Sequence, residues 1–349
     1  MGAIAMVTDV IAIDLGYGMV KFAHTKIPQE DSWDPSSLPV KVGSFPSRVE
    51  RVYPHAISSR GIGVVNEQFI GVDSSGEHVY RVGSVSGTAQ PILSAESRTR
   101  FWESPGVCAM IGRVLCDAVK PKGSEILVSI AYGIPAGWLS DREKIRPPAD
   151  FKFKIHKIQG GERDLHVKVV QGRVYGQTVG GVAHVLSQTN YRQFLGRCNW
   201  AVLDVGFGTT DVVIMRSNRI AGITSFEYGV SVEMAKDELE RGKILDANSP
   251  VSERVAQNIV TWVMNRIHVI RRGEGINYFF LVGGGANIFA SEISHLREEM
   301  GSDIIFPKWL DVSGDPKKVW VVIPPQPHIA NVLGMMSLHL AGLRAGSSK

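Results

Sequence analysis

Ile11-Ala12-Ile13-Asp14-Leu15-Gly16-Tyr17-Gly18 is matched, in the second half of the chain, by Ala201-Val202-Leu203-Asp204-Val205-Gly206-Phe207-Gly208. In each copy an apolar run ends in Asp, with glycines at the second and fourth positions after it. A strand buried on both faces reads as an unbroken apolar run rather than as an alternation. A carboxylate at its end, followed by a Gly-x-Gly turn, gathers one acid and several backbone N–H groups at one spot. Two such spots facing each other make a clamp for a metal-bound polyphosphate. The repeat predicts two similar α/β halves with a nucleotide between them.

The length of 349 residues agrees with two halves, since single cores rarely grow past about 250 residues. Hydrophobic residues at 44% and charged residues at 21% describe an ordinary globular chain able to bury a core. The net charge of +4 comes without any Lys/Arg block, which argues against direct nucleic-acid binding. Cys108, Cys116 and Cys198 show no metal or redox spacing and read as reduced thiols, the first two on a helix as small buried groups. No run is long enough to span a membrane, and no basic region precedes the first apolar run. A cytoplasmic protein without a membrane partner is expected.

Strands are expected on both sides of the first glycine turn and a hairpin over Phe69–Val85 around Asp73-Ser74-Ser75-Gly76. Pro105–Val119 carries apolar residues at helical spacing, and Glu125–Ile134 is a continuous strand. Residues 28–60, rich in Pro and Ser, read as a long irregular excursion. Ser140 followed by Glu143 reads as a capped helix start. Paired strands follow over Phe151–Ile158 and Leu165–Tyr175, then a helix over Val179–Leu195. The second half repeats the plan with strands 200–205, 211–216 and 219–226 and helices 230–241 and Val251–Arg271. The strand Tyr278–Val282 and a C-terminal helix over Ile329–Leu343 complete it. The expected division is 1–178 for the first lobe, with 329–349 packing back on it, and 179–328 for the second.

Several residues could carry chemistry. In Asp204-Val205-Gly206-Phe207-Gly208-Thr209-Thr210-Asp211 the glycines admit phosphate close to the backbone, and the Thr hydroxyls can donate to it. Asp14 and Asp204 are the metal candidates, since Mg²⁺ keeps much of its water when held by one or two carboxylates. Lys21 follows Asp14 on the returning strand and either reaches phosphate as a point charge or is a surface lysine; contact is the favoured reading. Gly283-Gly284-Gly285 with Asn287 ends a buried strand and opens a helix, where bare backbone can receive a base or ribose. No Gly-x-x-x-x-Gly-Lys-Ser/Thr sequence occurs, and neither Asp-glycine turn carries a Gly-x-Gly-x-x-Gly pattern.

In this order, the Asp14 turn, the Asp204 turn through Asp211, and Gly283-Gly284-Gly285 resemble the phosphate-1, phosphate-2 and adenosine motifs of the actin superfamily. That group includes actin, the DnaK-type chaperones and the sugar kinases. The ParM-like bacterial actins of plasmid partition are the nearest resemblance. Lys21, Tyr132-Gly133-Ile134-Pro135 and Ile329-Ala330-Asn331-Val332-Leu333-Gly334 are similar to their first motif, "G-L-P" strand end and second connecting helix. The resemblance implies a two-lobed, ribonuclease-H-like α/β fold with duplicated domains and a nucleotide cleft between them. It implies ATP as the nucleotide, with GTP as the alternative, together with Mg²⁺. It further implies head-to-tail filaments of the chain itself and a DNA-binding adaptor that grips the cargo.

In such proteins a Glu or Gln at the first connecting helix positions the attacking water. By placement that role goes to Gln177, with Gln171 as the fallback, although neither follows the Pro of the family pattern. Glu233 and Lys236, on the helix after Tyr228-Gly229, are ribose candidates, against the plainer reading of a solvated face. Apolar segments at 61–72 and 304–312 read either as filament contacts or as core. The competing reading is a small-molecule kinase on the same scaffold, which needs an acid facing a sugar hydroxyl that the sequence does not identify. A chaperone, with no substrate domain after residue 349, and a membrane-anchored cell-shape actin fit less well.

Overall fold

The computed structural model describes residues 9–28, 33–52, 68–72, 78–83, 98–121, 123–156, 162–188, 192, 194–240, 250–296, 304–305 and 319–347. Two compact units divide the chain. One comprises 1–134, 138–175 and 336–349, the other 135–137 and 176–335.

The first unit is built on strands β1 (Asp9–Leu15), β2 (Met19–Lys26), β3 (Lys41–Pro46), β4 (Val49–Val52), β5 (Gln68–Gly71) and β6 (Val79–Val82). Helix α1 (Pro105–Val119) and strands β7 (Glu125–Ile134), β8 (Asp150–His156) and β9 (Glu162–Gly176) follow. They form one nine-stranded sheet ordered β3-β2-β1-β7-β9-β8-β5-β6-β4. Every residue of β1 is buried, as its unbroken apolar run requires. It pairs antiparallel with β2 and parallel with β7. Val107, Met110, Ile111, Val114 and Leu115 form the buried stripe of α1 and join Ile11, Ile13 and Ile130 in one core cluster. Burial pushes the Cys108 and Cys116 thiols up to about 11 and about 12, so they act as apolar groups rather than nucleophiles.

The second unit contains α2 (Gln177–Ser187), β10 (Asn199–Val205), β11 (Thr210–Arg216), β12 (Arg219–Phe226), α3 (Val230–Glu240) and α4 (Glu253–Glu274). It continues through β13 (Tyr278–Val282), α5 (Gly284–Leu296), β14 (Ile304–Ile305), β15 (Val319–Val322) and the start of α6 (Ala330–Ser347). Its six strands are ordered β12-β11-β10-β13-β15-β14. The hairpin β10–β11 lies antiparallel, and β13 runs parallel to β10. The first unit carries the same arrangement in β2, β1 and β7. The sequence repeat is thus a repeat of topology. Ser252 caps α4 by accepting from the Val255 amide, and Gly275, at φ +64°, ends it.

The last part of α6, from Met336 onward, belongs to the first unit. There His339 is wholly buried. Ser129 donates its only hydroxyl proton to the Gln171 carbonyl at 3.0 Å, so its 2.7 Å contact with His339 Nε2 makes the ring nitrogen the donor. Nδ1 then accepts from the Tyr175 hydroxyl at 3.3 Å. Burial, with the Arg173 charge adding to it, pushes the imidazole down to about 4 and keeps it neutral.

Three expectations differ from the structure. Residues 28–60 are not wholly irregular: β3 and β4 lie within them, and β3 pairs antiparallel with β2. Gly43 of β3 sits over the Phe22 ring, where a Cβ would approach within 2.4 Å, so packing rather than alternation places this strand. No α-helix starts at Ser140, which lies within a 3₁₀ helix over Ala136–Asp141. Pro147 and Pro148 stand too close behind it for an α-helix to continue. The helix expected over Val179–Leu195 ends at Ser187. For the segment 61–72, left open between filament contact and core, the described Ile70 is fully buried in β5 and takes the core alternative. The turn at 73–77, Gly160-Gly161 and residues 306–312 lie outside the described residues. Among those described, no helix is long and apolar enough to cross a membrane.

Candidate functional site

The two acid–glycine hairpins have the same construction. Asp14 stands opposite Lys21 and Leu15 opposite Val20; Asp204 stands opposite Asp211 and Val205 opposite Thr210. In each, a Cβ on the first turn glycine (Gly16 or Gly206) would lie 2.9 Å from the carbonyl oxygen that closes the hairpin, Met19 or Thr209. Only glycine fits there without moving that backbone.

In both turns the carbonyls are held from behind. Ser47 donates its hydroxyl to the Gly16 carbonyl and its amide to the Gly18 carbonyl, the latter at 3.0 Å. In the second unit the first residues of α3 do this work. Val230 N–H donates to the Gly206 carbonyl at 3.2 Å and Ser231 N–H to the Phe207 carbonyl at 2.7 Å. With its carbonyls engaged, the turn presents the amides of Phe207, Gly208 and Thr209, which donate to no acceptor among the described residues. Clustered donors of this kind make a concave anion site.

Lys21 Nζ lies 3.7 Å from Asp14 Oδ2, and both side chains are largely buried. In the second unit Asp204 is 8% exposed and its Oδ2 accepts from Asn331 Nδ2 at 2.6 Å. Asp211, 2% exposed, takes long hydrogen bonds on Oδ2 from the Ala136 amide (3.4 Å) and the Thr178 hydroxyl (3.5 Å). Burial raises its carboxyl to about 6, with the Asp204 charge adding, against hydrogen bonds from Ser225, Ala136 and Thr178. Its Oδ1 has no protein partner.

Gln177 is the first residue of α2, buried, and its Nε2 also has no partner. Two orphaned polar atoms thus belong to one small region: Thr178, next to Gln177 in sequence, reaches Asp211. Buried polar groups are rarely left unsatisfied, so a ligand or water is the natural partner. Gln171, the fallback, is committed elsewhere: with its amide oxygen toward Arg173 it accepts at 2.9 and 3.1 Å.

Three expected contacts look different in the structure. Thr210 donates its hydroxyl to the Tyr228 carbonyl at 2.8 Å, inside the fold, which leaves Thr209 as the threonine on the turn. Glu233 is not on a solvated face. It is 5% exposed, with Lys236 Nζ 2.6 Å from one oxygen and Asn258 Nδ2 3.0 Å from the other. Burial pushes its carboxyl up, but hydrogen bonds from Lys236, Asn258 and Tyr228 and the Lys236 charge outweigh this and hold it below the usual range. Tyr228 in turn stacks on Trp262 at 4.1 Å, with Lys236 5.6 Å from its ring. In the glycine triplet, Gly283 (φ +86°) would drive a Cβ to 2.3 Å from Asp204 Oδ1, and Gly285 would drive one into Val205. Gly284 alone opens on free space, beside the exposed Asn287.

Each hairpin, taken by itself, offers a donor set that fits a magnesium-bound phosphate. Among the described residues no group of three or more His, Cys, Asp or Glu could hold a metal by itself. In each unit by itself, a single acid at the end of β1 or β10 beside a glycine turn suits an ion that arrives with phosphate and water. Ser47, Ala136 and Thr178 were not singled out in the sequence. Asn331 entered the sequence reading only as part of the Ile329–Gly334 stretch, without a role at the site.

No protein-family model matches the sequence, and the search of curated proteins found no match. Solved structures do match. The apo ParM protein of pSK41 superposes with a TM-score of 0.62 at 16% identity, covering 98% of this chain and 99% of that one. The archaeal actin homologue Ta0583 gives 0.63 at 17% identity over 96% and 100%, and has also been solved in complex with ADP. An Alp12 filament structure gives 0.56 at 14% identity over 96% and 99%. The chain has the two-domain fold of the actin-like proteins.

Proposed function

We propose that this protein is a ParM-like actin ATPase, which binds magnesium–ATP through both acid–glycine hairpins and assembles into filaments under nucleotide control. The observation that carries this reading is the repeated hairpin itself. The same acid, the same constrained glycine and the same back-bonded turn recur at equivalent register in two sheets that share the strand arrangement around the hairpin. Ta0583 in complex with ADP and the Alp12 filament, both chains of this fold, support nucleotide binding and self-association.

The residues divide the work by chemistry. The turn amides at Gly16–Gly18 and Phe207–Thr209 bind phosphate oxygens, and Lys21 adds positive charge. Asp14 and Asp204 would hold magnesium through its water shell. A bound magnesium ion supplies charge neutralisation at the phosphates, which phosphoryl transfer needs more than a strong base. Gln177, whose Nε2 is unpartnered, orients the attacking water. Asp211 lies beside the Thr178 hydroxyl with a proton affinity near neutrality, suited to receiving a proton from that water. Lys236 and Asn287 are the exposed groups for ribose and base.

Filament growth follows from a heterologous interface that does not close into a ring. With a modest net charge, the cytoplasmic filament would move plasmid DNA through a DNA-binding adaptor rather than by touching DNA. Light scattering tests this. At tens of micromolar protein, scattering should rise with ATP and Mg²⁺, stay flat with ADP, and decay as ATP is consumed. A flat trace, with ATP consumption stimulated by a sugar, would replace the filament reading with a kinase.

A further inference from the structure

Asn331 is one of the few polar residues on the buried face of α6. It is 3% exposed, with Ala330 and Val332 wholly buried on either side. Its Nδ2 donates to Asp204 Oδ2 at 2.6 Å, while its Oδ1 has no partner. The orientation is fixed by charge: turning the amide over would set oxygen against carboxylate oxygen. Four residues earlier, the Pro327 carbonyl accepts from the Gly283 amide at 2.8 Å. One short segment therefore holds both Asp204 and the glycine that lies against its other oxygen.

The two hairpins differ at this point. At equivalent register, Asp14 faces the ammonium of Lys21, which cancels charge as it binds. The Asn331 amide donates without cancelling any. It restricts the Asp204 carboxylate to one orientation and leaves its charge intact, as an outer-shell partner of a metal-side ligand does. Mounted on a packed helix, the amide has little freedom to drift.

We propose that Asn331 is a positioning residue that orients the Asp204 carboxylate toward the magnesium–water shell of a bound nucleotide. This rests on the reading of Asp204 as a magnesium-side group. Fluorescent ATP binding, measured with Mg²⁺ and again with EDTA, separates the possibilities. Wild-type protein should bind more tightly with Mg²⁺. In Asn331→Leu, which keeps bulk but removes the donor, the Mg²⁺-dependent gain should fall about tenfold, while affinity in EDTA changes less than twofold. Asn331→Asp, equal in shape, sets a second acid against Asp204 and should lose at least as much. If either variant lost affinity equally with and without Mg²⁺, Asn331 would be only structural and the proposal overturned. Full retention of the gain in both variants would overturn it too. A wild-type protein that binds ATP no better with Mg²⁺ would instead remove the magnesium reading of Asp204, and the proposal with it.

Discussion

Replacing Asp211 by Asn should alter stability in a way that depends on pH. The carboxyl is 2% exposed, and burial first, then the Asp204 charge, raises it from 3.8 to about 6 against its hydrogen bonds. The folded chain therefore holds this proton more tightly than the unfolded chain does. Its contribution is fully present below pH 3.8 and is lost as pH rises through about 6. At about 1.4 kcal/mol per pH unit, that displacement is worth about 3 kcal/mol. Asn has nearly the same shape and does not titrate. Relative to wild type, the nucleotide-free Asp211→Asn variant should thus gain most of this, roughly 2 kcal/mol, between pH 4 and pH 7. Part of the gain at pH 7 is offset by weaker hydrogen bonds from Ser225, Ala136 and Thr178. Urea unfolding of both proteins at pH 4, 5.5 and 7 measures the difference directly. A difference that stays constant with pH, or that moves in favour of wild type as pH rises, would refute the picture of a buried, proton-hungry carboxyl.

Three further outcomes follow from the geometry. Gly283→Ala combines a left-handed φ with a clash on Asp204, and should cost roughly 2–4 kcal/mol in denaturant unfolding. Gly284→Ala, opening on free space, should stay within about 0.5 kcal/mol of wild type; equal effects would contradict the assigned packing. His339 is neutral and pushed down from 6.5 to about 4, so its contribution is present above pH 6.5 and lost as pH falls toward 4. Wild type should lose more stability than His339→Gln over that interval. Gln177→Ala should leave the melting temperature and ATP affinity nearly unchanged, since its Nε2 bonds nothing in the protein, yet slow turnover by roughly tenfold or more; loss of binding would show the residue misplaced.

The hairpins were legible because burial on both faces writes an unbroken apolar run, and because Gly16 and Gly206 are imposed by backbone contacts inside their own turns. The long helices α1 and α4 were legible from their 3.6-residue periodicity. What could not be read depends on partners distant in sequence. Nothing near Gly43 announces the Phe22 ring over which β3 packs, and nothing near Ser47 announces the Gly16 carbonyl it holds. Ser140 carried a capping signal, but the prolines behind it decided the local structure. Glu233 and Lys236 have the spacing of a solvated pair. Only the Asn258 amide and the Tyr228–Trp262 stack reveal that the acid is buried.

The most direct test is a crystal structure of the protein with magnesium and a slowly hydrolysed ATP analogue. The account predicts triphosphate density in contact with the amides of both the Gly16–Gly18 and the Phe207–Thr209 turns, with magnesium waters reaching Asp14 and Asp204. A nucleotide that touches one turn only, or lies elsewhere on the molecule, would contradict it.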